Sequence, residues 1–128
     1  MVSDATAGTR PVALTIRLHT ELQCGRFTPT SISVSLPSSM RVPATVSKTA
    51  VTIAGRAAAF VRTHGSRVLI RAAAPKPGVI CDVIGPGVVA IKFGLLAGLG
   101  NPPRAGHYAF AVATSPQGGS WHGVLSIH

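Results

Sequence analysis

The chain alternates between apolar and polar positions for most of its length. In PVALTIRLHT, Val12, Leu14, Ile16 and Leu18 fall on one side, and Ala13, Thr15, Arg17 and His19 on the other. TSISVSLP sets Ile32, Val34 and Leu36 against Ser31, Ser33 and Ser35. AVTIAG, SRVLIRA, GVVAIKF, HYAFAVATS and GVLSIH repeat the pattern, and AAAFVR (57–62) is a weaker instance. A period of two marks strands that bury one face and solvate the other. Turn residues separate the runs: Pro37, Pro43, Ala54-Gly55, His64-Gly65, residues 75–78 and 85–87, Asn101-Pro102-Pro103 and Gly118-Gly119. Seven or eight short strands at intervals of roughly ten residues predict an all-β sandwich or barrel. No segment sustains a helical period. FGLLAGL and ATVSKTAV are each expected to make one helical turn at most. Residues 1–10 read as a polar lead-in that stays out of the core, and residues 11–128 as a single domain.

Composition supports a packed domain. Of 128 residues, 46% are hydrophobic and 12% charged, enough apolar content for a core and too much for compositional disorder. No run approaches the roughly 18 apolar residues of a membrane span. The start, MVSDATAGTR, shows no charged region followed by an apolar one, so no secretory leader is legible. Whether Met1 is a native start stays open.

Charge is strongly one-sided. Twelve Lys and Arg stand against three acids, Asp4, Glu21 and Asp82, for a net charge of +9. Such a field favours polyanionic partners: nucleic acid, anionic wall polymers or acidic lipid surfaces. A high arginine content suits bidentate contact with phosphate or carboxylate. Solubility combined with an arginine-rich codon bias is the competing explanation.

The two cysteines, Cys24 and Cys81, match no metal or redox spacing. A long-range disulfide, which would imply export, is the leading reading. Two buried free thiols are the alternative.

The most distinctive stretch is AGLGNPPRAGHYAFAVATS, Ala97 to Ser115. Glycines ahead of a helix can cradle a phosphate, but an alternating strand follows here, which points instead to a corner. In that reading Gly98 and Gly100 take positive φ, Pro102 holds Asn101 extended, and Gly106 releases the chain into the strand.

Together with SISVSLPSSMRVPATVSKTAVTIAG, Ser31 to Gly55, this stretch resembles the Ig-like β-sandwich modules of bacterial and archaeal cell-surface proteins. The shared pattern is a strand ending in Pro, a Val-Pro entry, a V-x-V-x-G strand and turn, and a later A-G-x-x-N-P-x-x-A-G-x-Y. The chain departs from it at Ile53 and at Ala54, where the modules usually have Asn. The cysteine pair is present in only some of these modules. The resemblance covers roughly Val12 to Ser115. It implies an extracellular, cell-surface Ig-like sandwich of about seven antiparallel strands. It supplies no catalytic residue.

Candidate chemistry is sparse. The three acids are scattered, no serine stands in a G-x-S-x-G elbow, and the five histidines lack common metal-pair spacings. Gly123 suggests that the last strand begins after His122, and His64 reads as a solvated turn residue. The expectation is a non-enzyme without cofactor or metal. Its role would be a structural or adhesive building block, partnered by itself or by neighbouring surface modules. The rival is a binding module for anionic glycans or wall polymers through an outer face carrying Arg17, Arg67 and Arg71. With one Trp, one Tyr and four Phe, specific nucleic-acid binding is not expected. Trp121 is read as a rim-of-core residue, with an exposed sugar-stacking role as the alternative.

Overall fold

The computed structural model describes residues 2–20, 31–72, 87–115 and 119–128. Cys24 and Cys81 lie outside these residues, and so does their expected pairing. The described residues form strands β1 (Leu14–Thr20), β2 (Ser31–Ser35), β3 (Val51–Ile53), β4 (Arg56–Ala57), β5 (Phe60–His64), β6 (Arg67–Arg71), β7 (Gly87–Phe93), β8 (Gly106–Ser115) and β9 (Gly119–Ile127). β3 and β4 have three and two residues, and the other seven have five or more. Single 3-10 turns occur at Lys48–Ala50 and Leu95–Ala97, inside the two segments expected to make helical turns.

Two antiparallel sheets result, one in the order β1-β7-β3-β4 and one in the order β5-β6-β2-β8-β9. The alternation read from sequence decides which residues lie between them. Val12, Leu14, Ile16, Leu18, Ile32, Val34, Val68, Ile70, Ile91 and Phe93 are all buried in one core. Burying each such side chain contributes roughly 1.5–3 kcal/mol.

This is an Ig-like β-sandwich. The order β9-β8-β2-β6 repeats G-F-C-C′ of the immunoglobulin variable type, and β1-β7-β3 repeats B-E-D. The chain reaches these places by a different route, because β3 precedes the β5–β6 hairpin. The later strand of that hairpin, β6, lies beside β2. A tyrosine corner is present: Tyr108, near the start of β8, donates its hydroxyl hydrogen to the Arg104 carbonyl oxygen at 2.7 Å.

The hairpin turns follow backbone requirements. β3 and β4 join through Ala54 (φ 53°) and Gly55 (φ 82°), the two positive values of a type I′ turn. β5 and β6 join through Gly65 and Ser66, where only Gly65 has positive φ (61°), as in type II′.

Two expectations are corrected here. Residues 2–10 belong to the domain. Val2 is buried in the core, and Ser3, Ala5, Ala7, Gly8 and Thr9 all share backbone hydrogen bonds with the rest of the sandwich. Val2 stands among polar and small residues, so the overall polarity of the segment hid its apolar contacts, which Ala5 and Ala7 extend. The last strand also begins earlier than Gly123 suggested. β9 starts at Gly119 and runs through Gly123, which pairs with Phe110 on β8. The Phe110 ring occupies the space a Gly123 side chain would fill, so the aromatic covers the glycine and the ladder continues.

Candidate functional site: the basic outer face of the five-stranded sheet

The outer side of a sandwich sheet is set by strand register. On the five-stranded sheet, His64, Arg67, Ser35, Ala111 and His122 form one row across the strands. Arg62, Leu69, Ser33, Ala113 and Ser120 form the next, and Phe60, Arg71 and Ser31 begin a third. The centre of this face carries serine and alanine. Its β5–β6 flank carries exposed Arg62, His64, Arg67 and Arg71.

A concavity of about 340 Å³ opens on that flank, lined by Ser33, Arg62, His64, Arg67 and Leu69. The small Ser33 forms part of its lining, and two guanidinium groups and an imidazole stand around it. Among the described residues the one acidic side chain is Asp4, on the N-terminal segment, where it accepts from the Thr6 N–H at 2.9 Å. The face therefore carries positive charge without an acid on the same rows. Guanidinium groups so placed present bidentate donors to carboxylate, sulfate or phosphate.

The expected basic face included Arg17, Arg67 and Arg71, and the structure divides that set. All three are exposed. Arg67 and Arg71 share the face just described, whereas Arg17 lies on β1 of the other sheet, near Lys92. Strand parity settles only whether a side chain points inward or outward. It does not assign a strand to a sheet. Arg62 and His64 were missed. The available signal was the Phe60-Arg62-His64 alternation, joined by a Gly-X turn to Arg67-Leu69-Arg71. The three alanines ahead of Phe60 obscured it.

The corner residues come together as a unit. Gly98 is left-handed (φ 75°) and closes the 3-10 turn by donating to the Leu95 carbonyl. Gly100 is not among the positive-φ glycines. Its smallness serves a close approach, because a Cβ there would stand 3.1 Å from the Cβ atoms of both Arg10 and Arg41. Asn101 is buried, and its Nδ2 donates to the carbonyl oxygens of Asp4 (2.6 Å) and Thr6 (2.9 Å). The Pro102 carbonyl accepts from Gly8, and Gly106 opens β8. The stretch does carry the chain from the four-stranded to the five-stranded sheet. It also ties down the N-terminal segment, a role that its sequence did not disclose.

Trp121 lies third in β9, partly buried against the core, and its indole N–H donates to the His19 carbonyl at 3.1 Å. It thereby ties β9 to β1, an edge strand of the opposite sheet. Among the described residues no three His, Cys, Asp or Glu side chains cluster as metal ligands. No helix there is long and apolar enough to cross a membrane.

Fold and face together define an Ig-like sandwich with a cationic outer surface. No protein-family model matches the chain, and no curated protein matches it. Among solved structures it is similar to BslA, described as a bacterial hydrophobin. The TM-score is 0.53 at 17% identity, over 99% of this chain and 87% of that one. At that identity the likeness establishes the fold.

Proposed function

We propose that the chain is an extracellular structural building block of a cell-surface assembly, adhesive in use and acting through its surfaces without catalysis. The observation that carries this reading is the likeness of the whole sandwich to a bacterial hydrophobin, over 99% of the chain. The corner supports membership of the Ig-like cell-surface modules, since Asn101 and Tyr108 of the A-G-x-x-N-P-x-x-A-G-x-Y pattern each hold a backbone carbonyl. Exposed apolar side chains add a means of association: Leu96 is 89% exposed, Val88 67% and Val124 62%.

A second reading rests on the concavity among Arg62, His64 and Arg67. It makes the same domain a binding module for anionic glycans or wall polymers, with Arg62 and His64 taking the place first given to Arg17.

The test is extraction of intact producing cells with concentrated salt, followed by light scattering of the released chain. Release without lysis, as particles larger than a monomer, is the expected result. Recovery only after lysis, as a monomer, overturns the structural reading.

A further inference from the structure

A second cationic feature is built by the corner itself. Three segments run side by side there. Val12 donates to the Leu99 carbonyl at 2.8 Å, and Arg41 and Gly100 exchange two backbone hydrogen bonds at 2.9 Å each. Gly100 is therefore the floor between two walls. The Cβ atoms of Arg10 and Arg41 both lie 3.1 Å from the point a Gly100 Cβ would occupy, so the two stems start side by side on the same face. A concavity of about 510 Å³ opens over this floor, lined by Gly8, Arg10, Ser39, Arg41, Gly100, Asn101 and Pro103.

The two neighbouring stems each carry a permanent positive charge, and like charges repel with only partial screening at physiological salt. Neither guanidinium has an acidic partner among the described residues. The backbone pairing nevertheless holds their stems together, and the glycine keeps the space between them open. An anion placed over Gly100 removes the repulsion and accepts from both arginines. A carboxylate keeps its two oxygens in one plane, where one guanidinium engages both. A tetrahedral oxyanion directs its oxygens to more than one side and so serves both walls. The concavity exceeds the needs of a free ion and lies in the size range of small-ligand sites.

We propose that Arg10, Arg41 and the Ser39 hydroxyl, over the Gly100 floor, bind a phosphate or sulfate group carried as a monoester. This site is separate from the outer face of the five-stranded sheet and does not depend on the structural role proposed above.

Titration of the full chain with inorganic phosphate at constant ionic strength, read by the arginine Nε–Hε and backbone amide signals in NMR, tests the assignment. Saturable shifts of Arg10, Arg41, Ser39 and Gly100 are expected. Arg10→Ala and Arg41→Ala should each weaken binding at least tenfold, while Lys48→Ala, which removes an exposed charge away from either concavity, leaves the shifts of Arg10 and Arg41 unchanged. Should an alanine variant fail to fold, Arg10→Lys and Arg41→Lys keep the charge, lose the planar fork, and should still weaken binding several-fold. Glucose 6-phosphate and sulfate distinguish the sources. Ester binding as tight as phosphate or tighter assigns the site to an esterified group. Binding of phosphate alone assigns it to the free ion, with the same side-chain chemistry. Non-saturating shifts spread over all the arginines, wild-type affinity in the Arg10 and Arg41 variants, or equal binding of acetate would each overturn the proposal.

Discussion

Asn101 holds Asp4 across 97 positions of sequence, its side-chain amide donating to the Asp4 carbonyl oxygen at 2.6 Å. The same nitrogen reaches the Thr6 carbonyl, while its backbone N–H donates to Thr9. One buried side chain therefore fastens the N-terminal segment onto the corner. Asn101→Ala should cost about 1–3 kcal/mol, because two carbonyls lose their donor in a buried setting. Asn101→Asp should cost more, since a carboxylate would face two carbonyl oxygens. Chemical denaturation of the three proteins checks the order, and equal midpoints would contradict it.

Removal of residues 1–10 should also destabilise the fold, by losing the buried Val2 and the hydrogen bonds that Ala5 and Ala7 share with His128. The thermal midpoint should fall by several degrees, given that about 1 kcal/mol corresponds to roughly 4–8 °C in a small domain. An unchanged midpoint would show that the segment is only laid against the surface.

Among the described residues Ala54 is the one non-glycine with positive φ, at 53°. A left-handed alanine costs roughly 1–2 kcal/mol, and asparagine or glycine tolerates the position better. Ala54→Asn and Ala54→Gly should each raise stability by up to about 1 kcal/mol. A loss of stability in both would argue against this turn geometry.

Gly123 lies beneath the Phe110 ring, so Gly123→Val must displace that ring. The double variant Gly123→Val/Phe110→Ala makes room for the new side chain. It should be less destabilised than the sum of the two single changes, and strict additivity would place the ring elsewhere.

The Asp4 carboxyl is held below its ordinary value by hydrogen bonds from the Thr6 side chain and the Thr6 N–H, and it is fully exposed. A lowered folded-state value means that the ionised form favours the fold. This contribution is present above the ordinary carboxylate range and is lost as pH falls through the lowered value. Carboxyl-carbon NMR should show Asp4 titrating below a free aspartate, and Thr6→Ala should move it back upward.

Most of the secondary structure could be read from the chain because period-two alternation is a local property. The face that Val12, Leu14, Ile16 and Leu18 share is dictated by backbone pleating, whatever the strand packs against. Turn chemistry at His64-Gly65 was legible for the same reason, since positive φ is a requirement of a few adjacent residues. Sheet membership was not local. Arg17 and Arg67 have the same outward parity, yet β1 and β6 belong to different sheets, so the two arginines face opposite ways. Only long-range pairing could decide that, and it also brought Arg62 and His64 beside Arg67. Gly100 shows the same division within one residue. Its sequence context marked it as conformationally special, whereas its role depends on Arg10 and Arg41 arriving from two distant segments. Asn101 appeared to be a turn residue and proved to be a buried clamp, because the carbonyls it satisfies lie at the far end of the chain and become its neighbours only when the sandwich closes.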